Sequence, residues 1–554
     1  MLSNKSVSSP QDKKRSWQYK PHPSYFLFAA PLLSGCGSDS PVGISPPPAD
    51  NTTTGLPSSY TPPASAYRAP TTADPNAFAL QTDKIDPYWV KALASSRFDE
   101  LGTFYQSHDN VIQFAFPEVM PSYFTGMDSI GWQAASPAVQ AAFLEIFNNL
   151  EGVFNVTFTE TSSLETFNTI VVSQNDQFET AGYAYFPETA DYIGSDIFLS
   201  TVYNAPAVTG TTSNFDYELL LHELAHALGL KHPFEADGTA TELLSAAEDN
   251  SNWTVTTYTQ VEAAYDGAYR DLDLMAFARL FGVKPTHKPG DDTYSFSSAS
   301  GVFILDGAGT DTISAESQSS AALIDLRVEM QSHLGGASNL ITAPNQLTIS
   351  AGSDIENAIG GAGNDYLIGN AGDNTLIGGA GHDRIFASDG SDTVQGGPGN
   401  DEIDLSELSA HRDVLRFEST ASNNGTDTVF SFQQGASGDV VDLSLTSDQP
   451  LQSVVAAALV PVVTVSNVIL RLVDDALDTA SGLLSALSAG GALSDLQIAS
   501  NSTVYVLSAS TQATGEDQQL FHVANSGSSL AIAHLATFSG NALDIDSWHN
   551  NNFI

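Results

Sequence analysis

The chain has 554 residues, too many for a single core, so two to four domains are expected. Its 64 Asp and Glu against 19 Lys and Arg give a formal charge of -45, which excludes nucleic acid as a partner because its phosphates would be repelled. Where those acids fall decides between a solvated acidic surface and carboxylates that hold cations.

Along the chain, Lys5, Lys13, Lys14, Arg15 and Lys20 precede an apolar run from Tyr25 to Leu33, a charged region followed by a stretch too short to span a bilayer. The run ends Leu33-Ser34-Gly35-Cys36, which resembles a bacterial lipobox. Cys36 is the only cysteine, so intramolecular disulfides are excluded and stability rests on packing and metals. Residues 1–36 therefore read as a lipoprotein-type signal with Cys36 as the lipidated residue, and 37–80, rich in Pro, Ser and Thr, as a disordered tether.

Residues 81–285 read as a mixed α/β domain. Val111–Phe116 alternates like a strand, and Val153–Thr159 and Thr169–Ser173 are further strands. Ser136 to Leu150 forms a helix, with Ser136 as N-cap, Pro137 at the first helical position, and Val139, Phe143, Ile146, Phe147 and Leu150 on one face. Ser195–Ser200 is expected as an edge strand before a helix that begins near Phe215.

That helix carries His222-Glu223-Leu224-Ala225-His226-Ala227-Leu228-Gly229-Leu230-Lys231-His232, or H-E-x-x-H-x-x-G-x-x-H. His222 and His226 are one turn apart and project from one face, so both imidazoles can share a metal. Gly229 permits the backbone to leave the helix and return His232 as third ligand. Three imidazoles and an open position describe a catalytic zinc site, because structural zinc is usually closed by four protein ligands. Glu223 is placed to act as general base on a zinc-activated water.

From about 286 to 410 the chain turns to Gly, Asp and Asn between aliphatic triplets, with units of nine residues starting at Gly360, Gly369, Gly378, Ala387 and Gly396. The sixth positions are Asp365, Asn374, Asp383, Asp392 and Asp401, and the eighth are Leu367, Leu376, Ile385, Val394 and Ile403. This is the G-G-x-G-x-D-x-U-x calcium repeat of RTX proteins, which folds as a parallel β-roll. The aspartates, with backbone carbonyls of Gly361, Gly363, Gly379, Gly381, Gly397 and Gly399, are the calcium ligands to expect. Alternate units stack, pairing Asp365 with Asp383, Asn374 with Asp392, and Asp383 with Asp401, and the pair holding Asn374 has lost one charge. Residues 411–554 form a β-rich module whose apolar stretch from Val454 to Leu472 reads as buried strands or a strand-helix pair, not a membrane span.

The zinc motif followed by calcium repeats resembles the serralysin-type metalloproteases of the metzincin clan, over about residues 85 to 450. The resemblance implies a fold of an α+β metzincin-type catalytic domain, an all-β calcium-binding β-roll and a β-rich C-terminal region. It also implies an extracellular zinc endopeptidase, loaded with Zn(2+) and Ca(2+), that acts on protein or peptide substrates. Within Trp253-Thr254-Val255-Thr256-Thr257-Tyr258, Tyr258 matches the family's tyrosine near the metal, implying a zinc ligand that swings aside to stabilise the oxyanion. Thr256 stands where the family has a methionine that floors the site, and its hydroxyl must find a partner or go unsatisfied, so a looser zinc site is expected. The family leaves the cell through an exporter that reads a C-terminal signal, whereas this chain pairs a lipobox with an apolar end at Phe553-Ile554.

The expected protein is thus a monomeric bacterial protease, extracellular or anchored at the cell surface, touching the membrane only through a lipid at Cys36. The rival reading is a calcium-stiffened adhesion or scaffold protein with a degenerate protease domain, which Thr256 favours and the intact Glu223 opposes. Tyr203, Tyr217 and His287 are cleft candidates, better read as core tyrosines and a loop histidine.

Overall fold

The computed structural model describes residues 87–442 apart from 165–168, 178–179, 188–194, 210–211, 262–264, 418–424 and 434–436. Beyond 442 it describes residues 483–484, 529 and the strands between Gln452 and Ser539. The signal and tether expected over 1–80, with Cys36, lie outside the described residues, as does the segment from 540 onward.

The first unit is built by α1 (Tyr88–Leu93), α2 (Phe98–Ser107), β1 (Val111–Ala115), β2 (Gln133–Ala134), α3 (Pro137–Val153), β3 (Thr157–Glu160), β4 (Thr169–Asn175), β5 (Gly182–Ala184), β6 (Ile197–Ser200), the ribbon β7 (Val208–Thr209) and β8 (Thr212–Ser213), α4 (Phe215–Ala227) and α5 (Asp271–Phe281). Helix α3 begins where its sequence says: the Ser136 hydroxyl accepts the Val139 N–H, and Pro137 fills a position that needs no amide donor. It buries Val139, Phe143, Ile146, Phe147 and Leu150, each worth roughly 1.5–3 kcal/mol when taken from water. Val153 closes this helix, so the strand expected at 153–159 starts only at Thr157.

The sheet runs β3-β1-β4-β6-β5, with β2 paired to β4. The β1, β3, β4 and β6 pairings are parallel, and β5 joins antiparallel to β6. Strand β6, expected at an edge, lies inside the sheet and is buried throughout, because three residues of β5 cover its outer side. Ile112, Ile170, Val172, Ile197 and Leu199 face the main core with α4 and α5, while Val171 and Phe198 support a smaller aromatic cluster on the opposite face.

The second unit is two sheets of short parallel strands. One stacks Thr293–Ser295, Thr312–Ser314, Asn357–Ile359, Thr375–Ile377, Thr393–Gln395, Val414–Arg416 and Val440–Asp442. Its partner stacks Tyr366–Ile368, Arg384–Phe386, Glu402–Asp404 and Asp427–Phe430, then continues through Leu530–Ser539, which joins parallel, into C-terminal strands that pair both parallel and antiparallel. Leu367 registers on Ile385 and Ile385 on Ile403, eighteen residues being one turn of the roll. The middle residues Leu376, Val394, Leu415 and Val441 meet Leu367, Ile385, Ile403 and Val429 in a fully buried core. The stacking passes residue 410, where the regular nine-residue spacing ends.

Strands at Gln452–Val455, Val463–Val465 and Val468–Val473 occupy the apolar stretch. Among the described residues no helix is long and apolar enough to cross a membrane.

Candidate metal centre

Asn214 starts the helix that presents the histidines: its side-chain oxygen accepts the Tyr217 N–H at 3.0 Å. Behind it the helix is tied to α5, where Arg270 pairs with the buried Glu218 at 2.8 Å and the Tyr269 hydroxyl donates to the Leu221 carbonyl. Gly229 ends it at φ +105°, and a Cβ there would stand 2.7 Å from Leu101 Cδ1, so both backbone and packing require glycine.

His222, His226 and His232 are brought together, all buried. Their Nε2 atoms are separated by 3.1 Å (222 to 226), 3.1 Å (226 to 232) and 3.3 Å (222 to 232). His222 Nδ1 lies 2.8 Å from the Val255 carbonyl and His226 Nδ1 2.6 Å from that of Leu230. A carbonyl only accepts, so these two Nδ1 atoms carry the protons and their Nε2 lone pairs point into the cluster. Burial lowers the histidines, to about 3 for His222, to about 4 for His226 and well below the ordinary value for His232, so all three are neutral near pH 7. Converging lone pairs repel unless a cation joins them. Tetrahedral zinc with bonds of 2.0–2.1 Å needs nitrogens about 3.3 Å apart, and the observed triangle fits.

Glu223 is 3% exposed and lies against β5, where a Cβ on Gly182 would meet its Oε1 at 2.8 Å. Its Oε2 has no hydrogen-bond partner among the described residues, and burial raises its pKa to about 8. Tyr258 stands beside the imidazoles, its ring 4.7 Å from that of His232 and 5.9 Å from that of His222. Phe234 stacks on His232 at 4.9 Å and Phe186 meets His226 edge-on at 5.8 Å, giving the centre aromatic flanks that no sequence pattern singles out. Tyr217 is buried in the core, Tyr203 packs on Phe215, and His287 lends its carbonyl to Gly307, so none of these three belongs to the cluster.

In the turn at Thr254–Tyr258 the threonine hydroxyl finds the partner it needs. The Thr256 hydroxyl is fully buried but paired with that of Thr254 at 2.8 Å. Thr254 spends its proton on Asp273 at 2.6 Å, so Thr256 is the donor between the hydroxyls. Asp273 also accepts the Val255 N–H at 2.9 Å, and so holds the residue whose carbonyl orients His222. Thr254→Val is therefore expected to destabilise the protein by about 1–3 kcal/mol, because Asp273 and Thr256 both lose a buried partner. Thr256→Val should cost about 1 kcal/mol, since Thr254 keeps its bond to Asp273. Denaturant unfolding of the two variants checks the order, and equal losses would reject it.

In the roll the aspartates form two ladders. Asp383 Oδ1 accepts the Asp365 N–H at 2.7 Å and Asp401 Oδ1 that of Asp383 at 2.8 Å. In the other column Asp392 accepts from Asn374 at 2.7 Å. The ladders continue through residues outside the nine-residue repeats: Asp413 to Asp392, Asp427 to Asp401 and Asp439 to Asp413. The second oxygens of Asp383, Asp392, Asp401 and Asp413 are buried with no hydrogen-bond partner among the described residues. A carboxylate oxygen left over at each of these rungs fits a divalent cation between loops. Asp365 differs, its Oδ2 accepting the Gly361 N–H, and Asn374 is closed on Asn370 by two bonds of 2.8 and 3.0 Å. The glycines let loops stack in contact: a Cβ on Gly381 would fall 1.9 Å from the Gly363 carbonyl oxygen, and one on Gly399 1.5 Å from that of Gly381.

Residues 281–469 match the family model described as peptidase M10 serralysin C terminal. The chain is 32% identical over 223 residues to serralysin of Proteus mirabilis, which covers 35% of this chain and 44% of that protein. It is 32% identical over 256 residues to the metallopeptidase AprA of Pseudomonas marginalis, covering 40% and 52%. For serralysin B of Dickeya chrysanthemi the identity is 34% over 247 residues, covering 39% and 50%. The chain spans about half the length of the curated relatives it matches. The C-terminal match and these relatives make the chain similar to the serralysins over the matched part of its length.

Proposed function

We propose that the chain is a zinc-dependent endopeptidase of metzincin type, stiffened by calcium in the roll. The observation that carries this is the triangle of buried Nε2 atoms beside an unpartnered buried carboxylate oxygen. His222, His226 and His232 would hold the zinc ion, which supplies Lewis acidity at the scissile carbonyl and at the attacking water. Glu223, raised to about 8 by burial, would be kept ionised by the charge of a bound zinc ion, which offsets that burial. It then takes a proton from the water as the water oxygen attacks the carbonyl carbon, and delivers that proton to the leaving amine as the C–N bond breaks. The Tyr258 hydroxyl donates to the carbonyl oxygen as negative charge develops there. Tyr258 is proposed for that role, and for a place in the metal's coordination, by its position beside His222 and His232.

A casein zymogram should show a cleared band at the full-length mass. The band is expected to vanish with a zinc chelator and to return on adding zinc. No clearing from zinc-loaded protein rejects the endopeptidase and favours the scaffold reading.

Calcium is proposed at Asp365, Asp383, Asp392 and Asp401, extended by Asp413, Asp427 and Asp439, with Asn374 marking the weakest rung because its amide is turned to Asn370. Asn374→Asp adds a carboxylate there and should raise affinity at one site roughly tenfold, about 1.4 kcal/mol. Calorimetric titration that finds no site tightened counts against this reading. Surface anchoring through a lipid on Cys36 is proposed from the lipobox, and labelled palmitate incorporation lost in Cys36→Ser would support it.

A further inference from the structure

Lys231 precedes the third ligand and is 2% exposed, a place where a lysine is rare unless its charge is met. Its Nζ donates to the carbonyl oxygens of Ala92 at 2.6 Å, Glu235 at 2.9 Å and Glu242 at 3.0 Å, and touches that of His232 at 3.4 Å. An ammonium has three protons, and the three short contacts use them. The acceptors come from the end of α1 and from two points on the loop that leaves His232. The same region is closed by the Lys231 N–H on the Leu93 carbonyl at 2.7 Å and the Leu244 N–H on that of Pro233 at 2.9 Å. The carboxylates of Asp237, Glu242 and Glu235 surround the charge at longer range. The cage itself is built of main-chain oxygen.

We propose that the Lys231 ammonium is an internal cation that closes the loop of residues 232–242 onto α1 and thereby holds His232 in the metal triangle. It is a positioning residue, since it acts through His232 and the backbone and touches neither metal nor substrate. Without it the buried carbonyl of Ala92 and the partly buried ones of Glu235 and Glu242 lose their donor. The loop's best way to recover is to open toward water, carrying His232 out of register with His222 and His226. This inference rests on the zinc reading of that triangle.

The test uses the full chain with calcium present and reads zinc affinity by competition with a chromophoric chelator, together with the visible spectrum of the cobalt-substituted protein. Circular dichroism monitors the fold. Lys231→Ala should bind zinc about 10–100-fold more weakly, the range seen when a partner behind a ligand is removed. Ethylammonium or propylammonium at millimolar concentration should restore affinity and the cobalt spectrum, and sodium chloride at equal ionic strength should not. Lys231→Met keeps the aliphatic stem, so it should show the same loss without rescue by amines. Zinc affinity within twofold of wild type in a folded Lys231→Met or Lys231→Ala overturns the proposal, and so does a loss in Lys231→Ala that no amine repairs. If Lys231→Ala does not fold, Lys231→Met alone decides. Wild-type protein that takes up no zinc defeats the metal reading itself, whereas zinc held equally by wild type and Lys231→Met defeats only the role of the lysine.

Discussion

Glu223→Gln is expected to reduce peptide hydrolysis by about 10²–10⁴-fold while zinc remains bound at one equivalent. The two halves of this expectation come from different features of the site. Zinc retention follows because the converging ligand atoms belong to His222, His226 and His232, with Glu223 outside the set. The tautomers of His222 and His226 are fixed by Val255 and Leu230, which the substitution does not touch. Loss of turnover follows because Glu223 brings a buried carboxylate, with one oxygen free of hydrogen-bond partners among the described residues, to the centre. Glutamine fills the same slot against Gly182 but cannot accept the proton of the attacking water. A peptide substrate assay with zinc counted by atomic absorption separates the outcomes. Activity within tenfold of wild type would remove Glu223 from the base role, whereas loss of zinc would make the residue structural.

The three histidines of the proposed zinc site are legible in the sequence because helical periodicity alone puts positions 222 and 226 on one face and Gly229 turns the chain back. What orients them is not legible. Val255 and Asp273 reach the site from 33 and more residues away, through a backbone carbonyl and a carboxylate that no local pattern marks. The same blindness hides the partner of the Thr256 hydroxyl, which is Thr254. Strand β6 reads as an edge strand because its cover, β5, is three residues long, too short to leave a period. In the roll, strict nine-residue spacing exposes five rungs and then fails. Ladder steps of 21 and 26 residues join Asp392 to Asp413, Asp401 to Asp427 and Asp413 to Asp439, across expanded loops. A subtler signal survives the loss of period: an aspartate two residues before a buried aliphatic, as in Asp413 with Leu415, Asp427 with Val429 and Asp439 with Val441.

Those ladders set the second large effect, in which calcium-free protein should lose the roll as pH rises from 5 to 8. Burial, reinforced by neighbouring carboxylates, pushes Asp383 and Asp413 up to about 7 and Asp392 up to about 8; burial also pushes Asp401 up to about 6. An unfolded aspartate titrates near 3.9. Folding therefore raises these pKa values, so the folded roll binds more protons than the unfolded chain between about pH 4 and 8. Stability contributed by these groups is complete below pH 4 and drains away from there until pH has climbed through the folded values of about 6 to 8, by at most about 1.4 kcal/mol per group for each pH unit. Calcium acts in the opposite sense. It needs ionised carboxylates, so its contribution grows as pH rises and fails in acid. The two dependences cross, and the calcium requirement for folding should be strong at pH 8 and weak at pH 5. Protein stripped of divalent ions and returned to zinc alone should keep its β-sheet dichroism at pH 5 and lose it at pH 8, with millimolar calcium restoring it. A calcium-free spectrum that is unchanged across this range, or that gains sheet at pH 8, would show that the buried aspartates are neutralised by something other than protons and calcium. With a formal charge of -45 spread over the chain, repulsion adds to the same trend, and salt alone should recover only the exposed part of it. Asn374→Asp sharpens the test, because it adds one more buried carboxylate to the same column. It should make the calcium-free roll less stable at pH 8 and the calcium-loaded roll more stable, two changes of opposite sign from one substitution.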